Sequence, residues 1–176
     1  MRIIGGKYKR KVLRTPGNLP VRPTTDLAKE ALFNVLNNHV DFEGLRVLDL
    51  FAGTGNISLE FASRGAVGLV AVEKNPRCVD FIKRMARELE FNDMLVIRGD
   101  AIGFLEKARL SFDLVFADPP YDFDRIRDIP DLVFELGLLE DEGWLVLEHG
   151  PATSFNEHPR LVEKRKYGRV HFSFFR

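Results

Sequence analysis

Residues 46–63 read Arg46-Val-Leu-Asp49-Leu-Phe51-Ala-Gly53-Thr-Gly55-Asn56-Ile-Ser58-Leu-Glu60-Phe-Ala-Ser63, and the architecture of the chain turns on how this stretch folds. Arg46 to Ala52 is a nearly continuous apolar run holding one acid, Asp49, which fits a strand buried on both faces. Asn56 to Ser63 has helical spacing. Gly53 and Gly55 lie between them. Residues without a Cβ let the backbone turn sharply and approach a ligand, and the helix N-terminus behind them favours an anionic group. This is not the dinucleotide fingerprint Gly-x-Gly-x-x-Gly, because Ser58 holds the third glycine position. No Gly-Lys-Ser/Thr follows, so it is not a phosphate loop either. By itself the stretch also fits a tight strand-to-helix turn that binds nothing.

Outward from this unit the same alternation repeats. Val67 to Glu73 predicts a second strand, and Asn75 caps a helix that opens on Pro76 and aligns Val79, Ile82, Met85, Ala86 and Leu89. Leu95–Arg98, Ala101–Ala108 and Phe112–Ala117 follow as strand, helix and strand. Residues 132–136 read as a short helix and Trp144–Leu147 as a fifth strand, with Trp144 in the core. Repeated βα units with apolar strands imply a parallel sheet covered on both faces. Leu161–Tyr167 and Val170–Phe175, joined through Gly168, predict a hairpin that closes the sheet antiparallel. Ahead of all this, a helix from Thr25 to about Asn38 is expected to turn Leu27, Ala31, Leu32, Val35 and Leu36 to the core. The expected organisation is a basic arm or hairpin over residues 1–22 and one α/β domain over 23–176.

The candidate chemistry gathers at strand ends. Glu73 closes the second strand 20 residues beyond Gly53, where an acid can chelate ribose hydroxyls; a solvated strand-end glutamate is the plain alternative. Asp100 follows the third strand, placed either for the adenine end of the same ligand or as the N-cap of the helix from Ala101. Asp118-Pro119-Pro120-Tyr121 closes the fourth strand. Two prolines stiffen the backbone and remove two donors, leaving the Asp118 carboxylate and nearby carbonyls as acceptors. Acceptors facing an exocyclic amine of a base stabilise the positive charge that develops when the nitrogen attacks, while Tyr121 stacks on the base. A rigid proline turn is the alternative.

The 26 Lys and Arg balance 26 Asp and Glu, but unevenly. Residues 1–25 hold seven positive side chains and no acid, and residues 160–176 hold six positive side chains against Glu163 alone. Basic ends on an acidic body suit a polyanionic partner. One cysteine, Cys78, excludes a disulfide framework or a Cys-rich metal site, and four scattered histidines show no ligand spacing. No apolar run approaches the ~20 residues of a membrane-spanning helix, and the first residues lack a secretory apolar stretch. The expectation is a soluble cytoplasmic monomer without a metal or a membrane partner.

Taken together, these residues resemble the RsmD-like family of bacterial RNA methyltransferases. The resemblance spans nearly the whole chain: Ile3-Ile4-Gly5-Gly6, Arg22-Pro-Thr24-Thr-Asp26 before a helix containing Glu30-Ala-Leu-Phe-Asn34, the glycine turn, and Asp118-Pro-Pro-Tyr121. The glycine turn and the tetrapeptide are common to many amino-group methyltransferases, and the Arg-Pro-Thr segment is the narrower marker. The resemblance implies a Rossmann-like class I methyltransferase with a mostly parallel seven-stranded sheet and an antiparallel C-terminal strand. It implies S-adenosylmethionine as cofactor, held by Asp49, Phe51, Gly53, Gly55, Glu73, Asp100 and Ala101. Asp118, Pro119, Pro120 and Tyr121 would take the N2 amine of a guanine in 16S ribosomal RNA. Lys7, Lys9, Arg10, Lys11, Arg22 and Thr24 would bind the RNA, which is expected within a folded or assembled small-subunit particle. Arg10 departs from the family, which often carries a glycine there. A DNA adenine or cytosine methyltransferase, a nicotinamide-dependent oxidoreductase and a non-catalytic RNA-binding assembly factor remain as alternatives. The short chain speaks against the first, Ser58 and the proline pair against the second, and the intact tetrapeptide against the third.

Overall fold

The structure, a computed structural model, describes residues 1–17, Leu19 and 25–176. Its elements run α1 (Asp26–Leu36), β1 (Arg46–Asp49), α2 (Asn56–Ser63), β2 (Val67–Glu73), α3 (Pro76–Glu88), β3 (Leu95–Arg98), α4 (Ala101–Lys107), β4 (Phe112–Ala117), α5 (Ile129–Glu135), β5 (Leu139–His149), β6 (Leu161–Tyr167) and β7 (Val170–Phe175), with a 3-10 turn at Ile126–Asp128 before α5. The seven strands form one sheet in the order β3-β2-β1-β4-β5-β7-β6. The first five are parallel, and β7 runs antiparallel to both β5 and β6. Strand order reverses between β1 and β4, and open α/β sheets bind ligands in the crevice at that switch point.

Strand side chains alternate between the two faces. On one face Val47, Leu69, Ala71, Leu114, Phe116, Trp144, Val146, Phe172 and Phe174 pack with α1, α2 and α3; on the other Leu48, Val70, Val72, Val115, Leu145 and Leu147 pack with α4 and α5. Continuing the first face to the carboxyl ends brings up an acid on four neighbouring strands: Glu73 from β2, Asp49 from β1, Asp118 just past β4 and Glu148 from β5. Asp49 lies level with Ala71 and Phe116, one same-face step deeper than Glu73 and Asp118.

The structure moves three expectations. The core stripe of α1 is Ala28, Lys29, Leu32, Phe33 and Leu36, while Leu27 is 76 % exposed and Ala31 and Val35 only half-buried. The stripe is rotated because Lys29 goes inward, where Lys29 Nζ donates to Arg2 O (2.6 Å) and Asn56 Oδ1 (2.9 Å) and pairs with Glu60 Oε2 (3.3 Å). The fifth strand is also longer than the expected Trp144–Leu147, and α5 starts earlier than residue 132, at Ile129.

Residues 1–13 form a hairpin, with Ile3 N donating to Lys11 O, Arg10 N to Ile3 O, and Leu13 N to Met1 O. Arg10 takes the left-handed conformation (φ 74°) that a glycine would adopt more cheaply, at about 1 kcal/mol. The hairpin lies along α2: Ile4 N donates to Glu60 Oε2, Lys7 N to Ser63 O, and Tyr8 N to Ser63 Oγ. Ile3 and Leu13 pack with Leu59, Phe81, Met85 and Leu89.

Candidate active site

The glycine turn is built as the sequence suggests. Gly53 (φ 54°) and Gly55 (φ 75°) are both left-handed, and Gly55 is the N-cap of α2. A Cβ at Gly55 would sit 2.9 Å from Ile82 Cγ1, so α3 packs against the turn only because that position is bare. The other side of the turn is open: a Cβ at Gly53 would meet nothing nearer than Phe51 O at 4.0 Å.

Two carboxylates brace this turn from beneath. Glu73, 8 % exposed, accepts from Gly53 N through Oε2 (2.8 Å) and from Asn75 N through Oε1 (2.7 Å). Asp49 is 1 % exposed. Its Oδ2 accepts from Ser58 Oγ at 2.5 Å, while Oδ1 has no hydrogen-bond partner among the described residues. Burial pushes the Asp49 carboxyl up to about 7, the Ser58 hydroxyl opposing and the Glu73 charge adding to the shift. Ser58, which disqualifies a dinucleotide fingerprint, is thus the residue that ties the acid of β1 to α2.

Asp100 caps α4, its Oδ1 accepting from Gly103 N at 2.9 Å, and is itself exposed. Ala101, the first residue of α4, is buried in the core. Asp100 therefore fills the capping role, which leaves its second oxygen for a ligand.

Across the switch point stands the tetrapeptide. Asp118 is half-buried, Pro119 is buried, and Pro120 and Tyr121 are exposed, Tyr121 at 52 %. The Tyr121 ring lies on Gly150, where a Cβ would come within 3.2 Å of Cδ2 and 3.4 Å of Cγ. Phe51, from the glycine turn, meets Phe123, just after the tetrapeptide, edge to face at 5.4 Å. The two motifs are therefore joined by an aromatic contact into one cleft at the carboxyl edge of the sheet.

Glu148, which no motif points to, sits on the β5 side of this cleft. It is 4 % exposed, its Oε2 has no hydrogen-bond partner among the described residues, and burial, with the Asp118 charge second, pushes its carboxyl up to about 9. The signal that could have found it is positional: an acid directly after the buried apolar run Trp144, Leu145, Val146 and Leu147 of β5.

The described turn of the basic arm is not brought to the tetrapeptide. Met1 lies by the glycine turn, where Thr54 Oγ1 contacts Met1 Sδ at 3.5 Å, but the turn carrying Lys7, Lys9, Arg10 and Lys11 lies beside Ser63, at the opposite end of α2. Arg22 and Thr24 lie outside the described residues. Among the described residues no group of three or more His, Cys, Asp or Glu could hold a metal ion, and no helix is long and apolar enough to cross a membrane.

Comparison with known proteins places this geometry. The family described as Conserved hypothetical protein 95 matches residues 1–176. The Ribosomal RNA small subunit methyltransferase D of Escherichia coli (strain K12) is 32 % identical over 84 % of this chain and 71 % of its own length. The protein of the same name from Buchnera aphidicola subsp. Baizongia pistaciae is 27 % identical over 99 % of this chain and 91 % of its own. Among solved structures, the hypothetical protein TTHA0928 of Thermus thermophilus superposes with a TM-score of 0.86, at 31 % identity, covering 99 % of this chain and 98 % of that one.

Proposed function

Because the chain belongs to the Conserved hypothetical protein 95 family, the RsmD-like family its motifs resemble, we propose that it methylates the exocyclic N2 amine of a guanine in small-subunit ribosomal RNA, with S-adenosylmethionine as donor. The observation that carries this reading is the joining of two half-sites over the switch point, the braced glycine turn of β1 on one side and the exposed Asp118–Tyr121 segment on the other.

The residues present fit the cofactor. Asp49 Oδ1 is a buried acceptor lacking a donor, suited to an ammonium group, and the open side of Gly53 admits a ligand against backbone. Glu73 uses one lone pair on each oxygen to brace the turn, and a carboxylate offers about four such sites, so ribose hydroxyls can still donate to it. The bound cofactor supplies a methyl group on a sulfonium. The chain supplies alignment and electrostatics. Asp118 accepts from the amine and turns its lone pair toward the methyl carbon, and Tyr121, fixed on Gly150, stacks on the base. The hairpin supplies phosphate contacts, which give affinity without reading sequence. The setting that suits this reaction is the bacterial cytoplasm, with the chain acting as a monomer on a folded particle.

The test is transfer of labelled methyl from S-adenosylmethionine by the purified protein to assembled small-subunit particles, naked 16S RNA and DNA, followed by mapping of the modified nucleotide. Label on a guanine N2 of the particle is the expected result. Label on DNA, or none on any RNA, would overturn the reading.

A further inference from the structure

Four acids share one edge of the sheet, and the proposed reaction employs three of them: Asp49, Glu73 and Asp118. Glu148 is left over. The register pairs Phe116 with Val146 and Ala117 with Leu147, so the next step sets Asp118 beside Glu148 on adjacent parallel strands, which run about 4.8 Å apart. Gly150, two residues on and on the same face, carries the Tyr121 ring. Glu148 thus stands between the two side chains that would hold the target base.

Its surroundings decide its charge. On the β7 side its register partner is Phe172, and beyond that lies Arg165 of β6, whose Nη2 is held by Glu163 Oε2 at 2.8 Å. His149 and His171, next along each strand, alternate to the other face, and burial lowers both, so they are neutral. Among the described residues, Asp118 is the one charge that acts appreciably on Glu148, and it is of like sign. No hydrogen-bond donor reaches Oε2 among the described residues. An ionised carboxylate buried here would carry charge on an oxygen with no donor and face a second carboxylate across one strand spacing.

We propose that Glu148 is a positioning residue for methyl transfer: a carboxylic acid that keeps its proton at neutral pH, so that the Asp118–Glu148 pair carries one negative charge and that charge resides on Asp118. Two neighbouring carboxyls with environments that separate their titrations divide the labour of an acid–base site, one ionised and one neutral. The balance of the step shows why this matters. As the nitrogen lone pair forms the bond to the methyl carbon, the carbon–sulfur bond breaks and its electron pair stays on sulfur. The nitrogen is left positive and gives one of its two protons to the Asp118 carboxylate, from which it passes to water. Asp118 can accept only while it is the ionised member, and a neutral Glu148 keeps it so. This inference rests on the amine-methylation reading.

Infrared difference spectroscopy on the full chain, from about pH 8, where Asp49 has lost its proton, to about pH 10, reads the protonated carboxyl directly. The wild type is expected to show a carboxylic-acid carbonyl band at about pH 8 that vanishes as pH rises, is missing from the isosteric Glu148→Gln, and is already weaker at about pH 8 in Asp118→Asn, where the like charge is gone and the proton leaves at lower pH. Methyl transfer by Glu148→Gln should fall severalfold and that of Glu148→Ala roughly tenfold to a hundredfold, both in kcat, with S-adenosylhomocysteine affinity unchanged. No such band in the wild type, a band indifferent to Asp118→Asn, or wild-type turnover by Glu148→Ala would overturn the proposal. A wild type with the expected band that methylates no RNA would instead remove the proposed function and leave the protonation state standing.

Discussion

The Gly53 backbone N–H donates to Glu73 Oε2 at 2.8 Å, so the acid that ends β2 is a strut of the glycine turn that follows β1. The link joins neighbouring strands through the loop where a cofactor would sit. Substituting Glu73 therefore removes a strut and the proposed ribose acceptor together. Glu73→Ala should weaken S-adenosylhomocysteine binding about tenfold to a hundredfold, read by calorimetry. Glu73→Gln should recover part of the loss, because its amide oxygen can still accept from Gly53. Unchanged affinity in both variants would remove Glu73 from the site.

Asp118→Ala separates binding from turnover. The side chain stands across the switch point from the glycine turn, so cofactor affinity should stay within about twofold while methyl transfer falls roughly a hundredfold or more. The check is single-turnover transfer beside a calorimetric titration of the same preparation.

With Asp49 holding the cofactor's ammonium as proposed, binding is expected to depend on pH in a definite direction. The Asp49 carboxyl is raised by burial to about 7, so the free protein holds it protonated below that pH and ionised above. A ligand ammonium prefers the ionised form. Affinity for S-adenosylhomocysteine should rise as pH increases through 7, by up to about tenfold per unit on the acid side, and level off above. Binding at pH 6.5 or so should release a proton, seen as a dependence of the calorimetric heat on buffer ionisation enthalpy. Asp49→Asn should abolish both effects.

Lys29, fully buried, holds three parts of the chain: α1, which carries it; the hairpin, through Arg2 O; and the first turn of α2, through Asn56. Lys29→Met leaves Glu60 buried with, among the described residues, only Arg64 Nε and Ile4 N as partners. Breaking a buried pair in this way costs about 3–5 kcal/mol, which for a chain this long lowers Tm by about 10 °C. Hydrogen exchange should show the loss first at Ile4, Lys7 and Tyr8, whose amides donate to Glu60 and Ser63 of α2 only while the hairpin is seated.

What the sequence disclosed, it disclosed through periodicity and punctuation. The βα units, the Asn75–Pro76 start of α3, the capping by Asp100 and the antiparallel C-terminal hairpin are local patterns, and each forms as its residues suggest. Lys29 and Glu148 escaped because both break the rule that charge stays at the surface. Lys29 goes inward for partners 27 and 31 positions away, so Leu27 is left in solvent. Glu148 gains its character first from burial and then from Asp118, a neighbour that only strand order supplies. Ser58 was legible as a departure from a glycine pattern but not as the hydroxyl that binds Asp49.

The hairpin tests how far the RNA must reach. Lys7, Lys9 and Lys11 sit by the C-terminal end of α2, an eight-residue helix about 12 Å long, so a substrate engaging them and the cleft must run the length of that helix. The Lys7 and Lys11 ammoniums lie 5.1 Å and 5.5 Å from the Tyr8 ring centroid, which holds them on one patch of the arm. Contacts so far from the reacting amine contribute to binding rather than to the chemical step. The triple substitution Lys7→Ala, Lys9→Ala and Lys11→Ala should raise KM for the ribosomal particle with little change in kcat. It should also flatten the plot of log affinity against log salt by roughly 0.7–0.9 for each phosphate that the arm no longer neutralises. A salt slope identical to the wild type would place the RNA elsewhere on the molecule.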